Sequence, residues 1–131
     1  MSPAVKRRKA SPSIAQASTD TTLATTRAHV LQGSGYEVRN FMSPDELLHA
    51  CRKEKFDLLL IGHLLEHVER EQMSFIFRTY NAGSPIVQLQ SVETVPTTAD
   101  FSFNVENGPE ALVHLLSEIV RGKRLSARVG D

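Results

Sequence analysis

The short apolar run DLLLI, residues 57–61, constrains the fold of this chain more than any other feature of the sequence. A strand with one face in water alternates apolar and polar side chains, whereas a strand covered on both faces reads as a continuous apolar run. The four large apolar side chains after Asp57 therefore predict a central strand. A parallel sheet with a layer packed on each face provides that environment.

Patterns typical of strands and helices alternate on both sides of this run. Further strands are predicted at SIAQAS, YEVRNF, SPIVQLQ and DFSFNV, which begin at residues 13, 36, 84 and 100. Strands that alternate with helices favour a parallel sheet with right-handed crossovers and helices on both faces. The predicted fold class is α/β, a doubly wound parallel sheet of five strands.

The clearest helix start is in SPDELLHACRKE, residues 43–54. Ser43 stands at the N-cap and Pro44 at the first helical position, where its missing N–H costs nothing. Glu46 follows the cap by three residues, which completes the pattern of a capping box. The other helices are predicted from Thr21 to Leu31, from Glu66 to Tyr80, and after Pro109.

Length and composition fit one ordinary globular domain. The chain has 131 residues, 40% of them hydrophobic and 23% charged, and its formal net charge is zero. No apolar run approaches the roughly 20 residues that a membrane span needs, so we expect no membrane partner. The single cysteine, Cys51, excludes an internal disulfide. We expect a cytoplasmic protein.

The two ends differ from the middle in composition. Residues 1–13 are predicted to be a disordered basic arm, because a segment so poor in large apolar residues cannot offset the entropy lost on ordering. Residues 14–121 form the predicted domain, and residues 122–131 a flexible tail. The arm could contact nucleic-acid phosphates only weakly, so nucleic acid is not an expected partner. Its basic residues are Lys6, Arg7, Arg8 and Lys9.

Residues 63–67 spell H-x-x-E-H, a signature of zinc peptidases. On one helix, His63 and His67 would share a face and could bind zinc, with Glu66 as a general base. Here the motif follows directly on a buried strand, which favours His63 in the connecting loop instead. A metal-dependent hydrolase is therefore the alternative function, and no metal site is the expectation.

The stretch GYEVRNFMSPDELLHACRKEKFDLLLIGHLL, followed by SPIVQLQ and GPEALVHLLSEI, resembles the receiver domain of bacterial two-component response regulators. The resemblance covers about Ile14 to Arg121, and its most specific parts are GYEV, FDLLLI and SPIV. It implies a flavodoxin-like sheet of five parallel strands in the order 2-1-3-4-5. The family usually has a helix between the last two strands. Only about ten residues, among them Pro96, are available here, so we expect that fourth helix to be missing or reduced.

The resemblance also implies a degenerate phosphorylation pocket. Receivers phosphorylate an aspartate after the third strand, hold magnesium with an acidic pair after the first, and contact the phosphoryl group through a hydroxyl residue and a lysine after the fourth and fifth. Gly62 occupies the acceptor position and Val105 the lysine position. The other positions are Ser18 and Thr19 for the acidic pair, with Asp20 adjacent, and Gln90 for the hydroxyl residue, with Ser91 beside it.

These substitutions predict a pseudo-receiver that is not an enzyme and uses no cofactor. We expect a stand-alone signalling protein of a phosphorelay-type system that acts through protein–protein contact. Gly62 and Val105 then have structural roles, a tight turn and the filling of apolar space. The alternative for these two residues is a small residual pocket that binds another ligand. A third possibility for the whole protein is a nucleic-acid-associated role through the basic arm.

Overall fold

The computed structural model describes residues 11–91 and 99–129, with side chains up to residue 122. Within these ranges five strands form one parallel sheet in the order β2-β1-β3-β4-β5. This order confirms the predicted flavodoxin-like fold. The strands are β1 (Ser13–Ala17), β2 (Glu37–Phe41), β3 (Leu58–Ile61), β4 (Ile86–Gln90) and β5 (Phe101–Asn104).

The central strand is β3, which pairs with β1 on one side and β4 on the other. All four of its residues are fully buried. Leu58 and Leu60 pack into the hydrophobic core on one face of the sheet, and Leu59 and Ile61 pack into the core on the other face. The continuous apolar run therefore reflects two separate cores, as the sequence predicts.

Helices cover both faces of the sheet. One core includes Leu31 and Leu116 from the first and last helices, and the other includes Leu47 and Phe77 from the two helices between them. No helix of the described ranges is both long and apolar enough to cross a membrane. The helices are α1 (Thr21–Gly33), α2 (Pro44–Cys51), α3 (His67–Tyr80) and α4 (Pro109–Val129).

Side chains fix the starts of α1 and α2. The carboxylate of Asp20 accepts the N–H of Leu23 at 2.9 Å, so Asp20 is the N-cap of α1. The hydroxyl of Ser43 accepts the N–H of Glu46 at 3.3 Å. Glu46 in turn accepts the N–H of Met42 at 2.8 Å, one residue before the position that a capping box uses. The predicted helix start is correct, and the structure differs only in the N–H that the Glu46 side chain binds, which is that of Met42 and not that of Ser43.

Some predictions concern residues outside the described ranges. Residues 1–10 of the expected basic arm lie outside the described ranges. Ser13, the last residue of the expected arm, is the first residue of β1.

The connection from β4 to β5 has ten residues, fewer than the dozen or more that parallel strands usually need. Its residues 92–98, where a reduced fourth helix is predicted, are not described. The expected boundary at residue 122 falls inside α4, whose backbone continues to Val129.

Candidate functional site

The residues predicted to form a pocket all follow the carboxyl ends of parallel strands, so they lie along one edge of the sheet. We call this the carboxyl edge. Ser18, Thr19 and Asp20 follow β1, Gly62 follows β3, and Gln90 ends β4. Ligand sites of open α/β sheets form at this edge, where the connections to the next helices leave a crevice. The side chains here decide what chemistry is possible.

The residues after β1 bond mainly to one another. Ser18 is buried, and its hydroxyl accepts the N–H of Asp20 at 3.2 Å and lies 3.3 Å from the Asp20 carbonyl oxygen. Thr19 is exposed. The carboxylate of Asp20 caps α1 through the N–H of Leu23. The one carboxylate of this segment therefore already has a structural role.

Gly62 lies where β1 and β3 come close together. Its N–H donates to the carbonyl oxygen of Ala17 at 2.8 Å. A Cβ atom at this position would lie 3.1 Å from that oxygen, which is tighter than ordinary contact, and 3.4 Å from the Cβ of Ser18. Gly62 does not have a left-handed backbone. Glycine is therefore favoured here by the close approach of β1, and the tight turn expected from the sequence is not its reason.

Val105 and its neighbours lie at the carboxyl edge beside the ends of β4 and β5. Gln90 and Ser91 are half-buried at the end of β4. A short 3-10 helix, Val105–Asn107, begins directly after β5, and the Asn104 side chain caps it by accepting the N–H of Glu106 at 2.9 Å. Val105 packs against the core beneath α1 and α4. It fills apolar space, as the sequence predicts.

Two polar residues outside the predicted pocket, Gln16 and Arg27, lie next to this edge. Gln16 is fully buried in β1, where its amide donates to the carbonyl oxygen of Ala24 at 3.2 Å. Its own oxygen accepts a hydrogen bond from the guanidinium of Arg27 at 2.8 Å. The sequence signal for this pair is a glutamine among apolar residues of a predicted strand. A buried amide needs hydrogen-bond partners, so such a glutamine indicates a polar residue close by in the fold.

Arg27 and His63 influence each other electrostatically at this part of the edge. Burial lowers the pKa of the Arg27 guanidinium, and the Asp20 carboxylate opposes that effect. Burial also lowers the pKa of His63, the positive charge of Arg27 lowers it further, and Asp20 opposes both. The buried Nδ1 atom of His63 has no hydrogen-bond partner among the described residues. A neutral imidazole beside a guanidinium is the favoured state.

Magnesium, which the receiver resemblance implies, does not fit these residues. Magnesium in proteins is held by carboxylates and by substrate phosphate oxygens in octahedral geometry. At this edge Gly62 offers no ligand, Asp20 caps a helix, and Arg27 places a positive charge nearby. No three His, Cys, Asp or Glu side chains of the described residues are grouped closely enough to hold a metal ion.

The H-x-x-E-H motif does not form a zinc site either. His63 lies in the loop after β3, Glu66 is the N-cap of α3, and His67 is the first residue of that helix. The two histidines are therefore not on one helix, and the geometry of spacing four does not apply to them. This placement agrees with the prediction that His63 belongs to the connecting loop.

Comparisons by sequence identify no relative: no protein-family model matches the chain, and no curated protein matches it. Comparisons by structure do. The fold is similar to a CheY-like response regulator receiver domain protein from Methanospirillum hungatei JF-1, with a TM-score of 0.76 and 17% identity over 88% of this chain and 98% of that one.

Two further solved structures extend the similarity. A putative response regulator from Chloroflexus aurantiacus J-10-fl has a TM-score of 0.74 and 23% identity, over 85% of this chain and 98% of that one. The chemotaxis protein CheY4 of Vibrio cholerae has a TM-score of 0.72 and 20% identity, over 83% of this chain and 98% of that one. The chain therefore has the fold of a response regulator receiver domain.

Proposed function

We propose that the protein is an atypical receiver-like signalling protein of a bacterial phosphorelay-type system, which acts in the cytoplasm without phosphorylation at the usual site and through contact with another protein. The observation that carries the proposal is the packing of Gly62. This residue follows the third strand, where receivers have the acceptor aspartate, and a Cβ atom there would lie 3.1 Å from the Ala17 carbonyl oxygen.

The surrounding charges support the same proposal. Phosphoryl transfer depends on a metal ion and cationic groups that neutralise the phosphoryl oxygens in the transition state. The residues after β1 supply one carboxylate, that of Asp20, and it caps a helix. Val105 replaces the lysine and packs into the core. Arg27 would repel a divalent cation, and it is bonded to Gln16.

An exposed apolar stripe on the α3 side favours protein contact. Phe75 is 74% exposed, and Val68, seven residues earlier on α3, is 63% exposed, so both lie on the same side of the helix. Leu64 in the preceding loop is also exposed. Apolar side chains grouped at a surface are typical of interaction sites. Phe101 on β5 is exposed as well, whereas Phe103 is buried.

Intact-mass measurement tests whether the protein can be phosphorylated at the usual site. The wild-type protein and the Gly62→Asp variant are incubated with acetyl phosphate and magnesium, and a typical receiver serves as the positive control. We expect no mass change in either protein, because a new aspartate would still lack the carboxylate pair that holds the metal. Gain of one phosphate by the wild-type protein would contradict the proposal, and gain by the variant alone would show that the rest of the pocket is functional.

Surface variants test whether the protein acts through contact with another protein. Proteins crosslinked to the wild type in cells are compared with those crosslinked to Val68→Ser/Phe75→Ser. The control is Leu23→Ser, which changes an exposed apolar residue near the start of α1. We expect a specific crosslinked protein to be lost in the double variant alone, with no dependence on magnesium. Equal crosslinking by all three proteins would contradict contact through α3.

A further inference from the structure

Phe75 stands between two grooves on the solvent-facing side of α3. Its side chain is strongly exposed. Successive residues of a helix are turned by about 100°, so Gln72 lies on one side of Phe75 and Arg78 on the other. The groove beside Gln72 is shared with Pro44 and Asp45 at the start of α2. The groove beside Arg78 is lined by residues of α3 alone.

The groove beside Arg78 has the spacing of a packing hole for a side chain of another helix. Four of the residues that line it follow the spacing i, i+3, i+4 and i+7, namely Glu71, Ser74, Phe75 and Arg78. Residues at this spacing surround one point of a helix surface. In paired helices such a set of four receives one side chain of the facing helix. This side of α3 therefore presents a knob, Phe75, directly beside a hole.

A surface that holds both a knob and a hole is able to pair with a copy of itself. In a two-fold dimer the same patch faces itself, so every contact occurs twice. In an antiparallel pair of α3 helices with the two-fold axis beside Phe75, each Phe75 enters the hole of the other copy. The exposed Val68 lies two turns earlier, about 10 Å away along the helix, and extends the apolar contact.

The charges along α3 suit the antiparallel arrangement. Glu69 and Glu71 lie in the first half of the helix, whereas Arg78 lies in its last turn. Beside that last turn, the ammonium group of Lys55 donates to the carbonyl oxygen of Tyr80 at 2.6 Å. An antiparallel pair places the acidic half of each helix against the basic half of the other. A parallel pair would oppose Glu71 to Glu71, and like charges across an interface are costly.

Arg78 is able to contact a carboxylate of a second copy while it keeps the partner that it has. Its guanidinium lies 3.4 Å from a carboxylate oxygen of Asp100, and the two side chains are 40% and 44% exposed. The other carboxylate oxygen of Asp100 accepts the N–H of Ile86 at 2.8 Å, which holds Asp100 at the start of β4. An exposed ion pair of this kind is weak, and a guanidinium has further N–H donors for a second carboxylate.

We propose that two copies of this chain associate through α3, antiparallel and related by a two-fold axis beside Phe75. This inference rests on the proposed function, because it names the partner of the exposed apolar stripe on α3: a second copy of the chain. Phe75 of each copy fills the hole of the other, and the carboxylate of Glu71 faces the guanidinium of Arg78 across the interface. One helix face is a small interface, so the dimer dissociates on dilution.

Sedimentation velocity over a series of protein concentrations tests the dimer. The wild type should change from monomer to dimer as the concentration rises. Phe75→Ser removes the side chain at the centre of the interface and should raise the dimer dissociation constant at least about tenfold. Leu23→Ser, which changes an exposed apolar residue on α1, is the matched control and should dimerise like the wild type. Circular dichroism checks that every variant is folded.

Charge reversal tests the antiparallel register. Glu71→Arg and Arg78→Glu should each weaken the dimer, because each variant brings two pairs of like charges together across the two-fold axis. An equimolar mixture of the two variants should associate more tightly than either variant alone, since both pairs in a mixed dimer then have opposite charges. A residue that acts only within its own copy would not produce this recovery.

Three results would overturn the proposal: a wild type that stays monomeric at every concentration, a Phe75→Ser dimer as tight as that of the wild type, or a mixture no tighter than the separate charge variants. The proposed function fails by a different result, which is crosslinking in cells that does not depend on Val68 and Phe75. A monomeric wild type that still crosslinks to a different protein through these two residues overturns only the dimer.

Discussion

At the carboxyl edge the side chains of β1 and of the segment after it bond to residues close in sequence, and the long-range side-chain bond there runs from Asn40 to the carbonyl oxygen of Ser18. At the amino edge, where the strands begin, side chains bond to distant segments. At the carboxyl edge, Asp20 binds the N–H of Leu23 and Gln16 binds Arg27, eleven residues away. At the amino edge, Asp57 binds Ser13 across 44 residues, and Asn81 accepts the N–H of Phe56 across 25.

This difference assigns the two edges different roles in stability. Long-range bonds at the amino edge hold the starts of several strands in register, so they belong to the global fold. Local bonds at the carboxyl edge stabilise one connection at a time, so a change there should leave the sheet intact. That independence allows substitutions at the carboxyl edge without loss of the fold.

The largest effect should come from β3, which both edges share. Leu59→Ala removes a fully buried side chain from the core beneath α2 and α3. We expect a loss of about 2–5 kcal/mol in the free energy of unfolding, from lost transfer energy and a residual cavity. Urea denaturation measures it. An effect below about 1 kcal/mol would mean that β3 is not the centre of the core.

The comparison of the edges predicts two smaller losses in the free energy of unfolding, with the larger loss at the amino edge. Asn81→Ala leaves the buried N–H of Phe56 without its partner, at a cost of about 1–3 kcal/mol. Asp20→Ala removes an N-cap at a half-buried position, which typically costs about 1 kcal/mol. Both are measured by urea denaturation under the same conditions. A larger loss for Asp20→Ala than for Asn81→Ala would contradict the division of roles.

Substitution of two glycines tests the packing at Gly62. Gly62→Ala places a Cβ atom 3.1 Å from a backbone oxygen, which cannot move away easily, and we expect a loss of roughly 1–2 kcal/mol from overpacking. Gly33→Ala is the matched control, because nothing lies within 4 Å of its Cβ position and it ends α1. Thermal unfolding should show this variant unchanged or stabilised by up to about 1 kcal/mol. Equal behaviour of both variants would mean that β1 does not crowd Gly62.

The smallest predicted effect is a pH dependence from His63. Its pKa in the folded protein is lowered, so the unfolded chain takes up the proton first as the pH falls. The stabilising contribution is fully present above about pH 6.5, the ordinary value, and is lost as the pH falls below it towards the folded pKa.

Urea midpoints at about pH 8 and about pH 5 measure this contribution. The wild type should lose more stability over that interval than His63→Gln, and His29→Gln, at an exposed position on α1, should behave like the wild type. If His63→Gln shows the same pH dependence as the wild type, the imidazole is not held in its neutral form by Arg27 and burial.

The sequence by itself determined the elements of this protein and their order. The continuous apolar run predicted β3 at the centre, because only a strand covered on both faces lacks polar positions. Ser43 and Pro44 predicted the start of α2, because capping is a bond between near neighbours. The loop position of His63 followed from its place directly after β3. All of these are consequences of local periodicity and local hydrogen bonding.

The tertiary structure alone decided what the edges of the sheet can do. Gly62 is favoured by the approach of Ala17 and Ser18, and that distance depends on how β1 pairs with β3. The bond between Gln16 and Arg27 depends on how α1 packs over β1. The proximity of Pro12 to Arg121 joins residues at opposite ends of the chain. No local pattern encodes such distances, because they arise from the packing of strands and helices that are far apart in sequence.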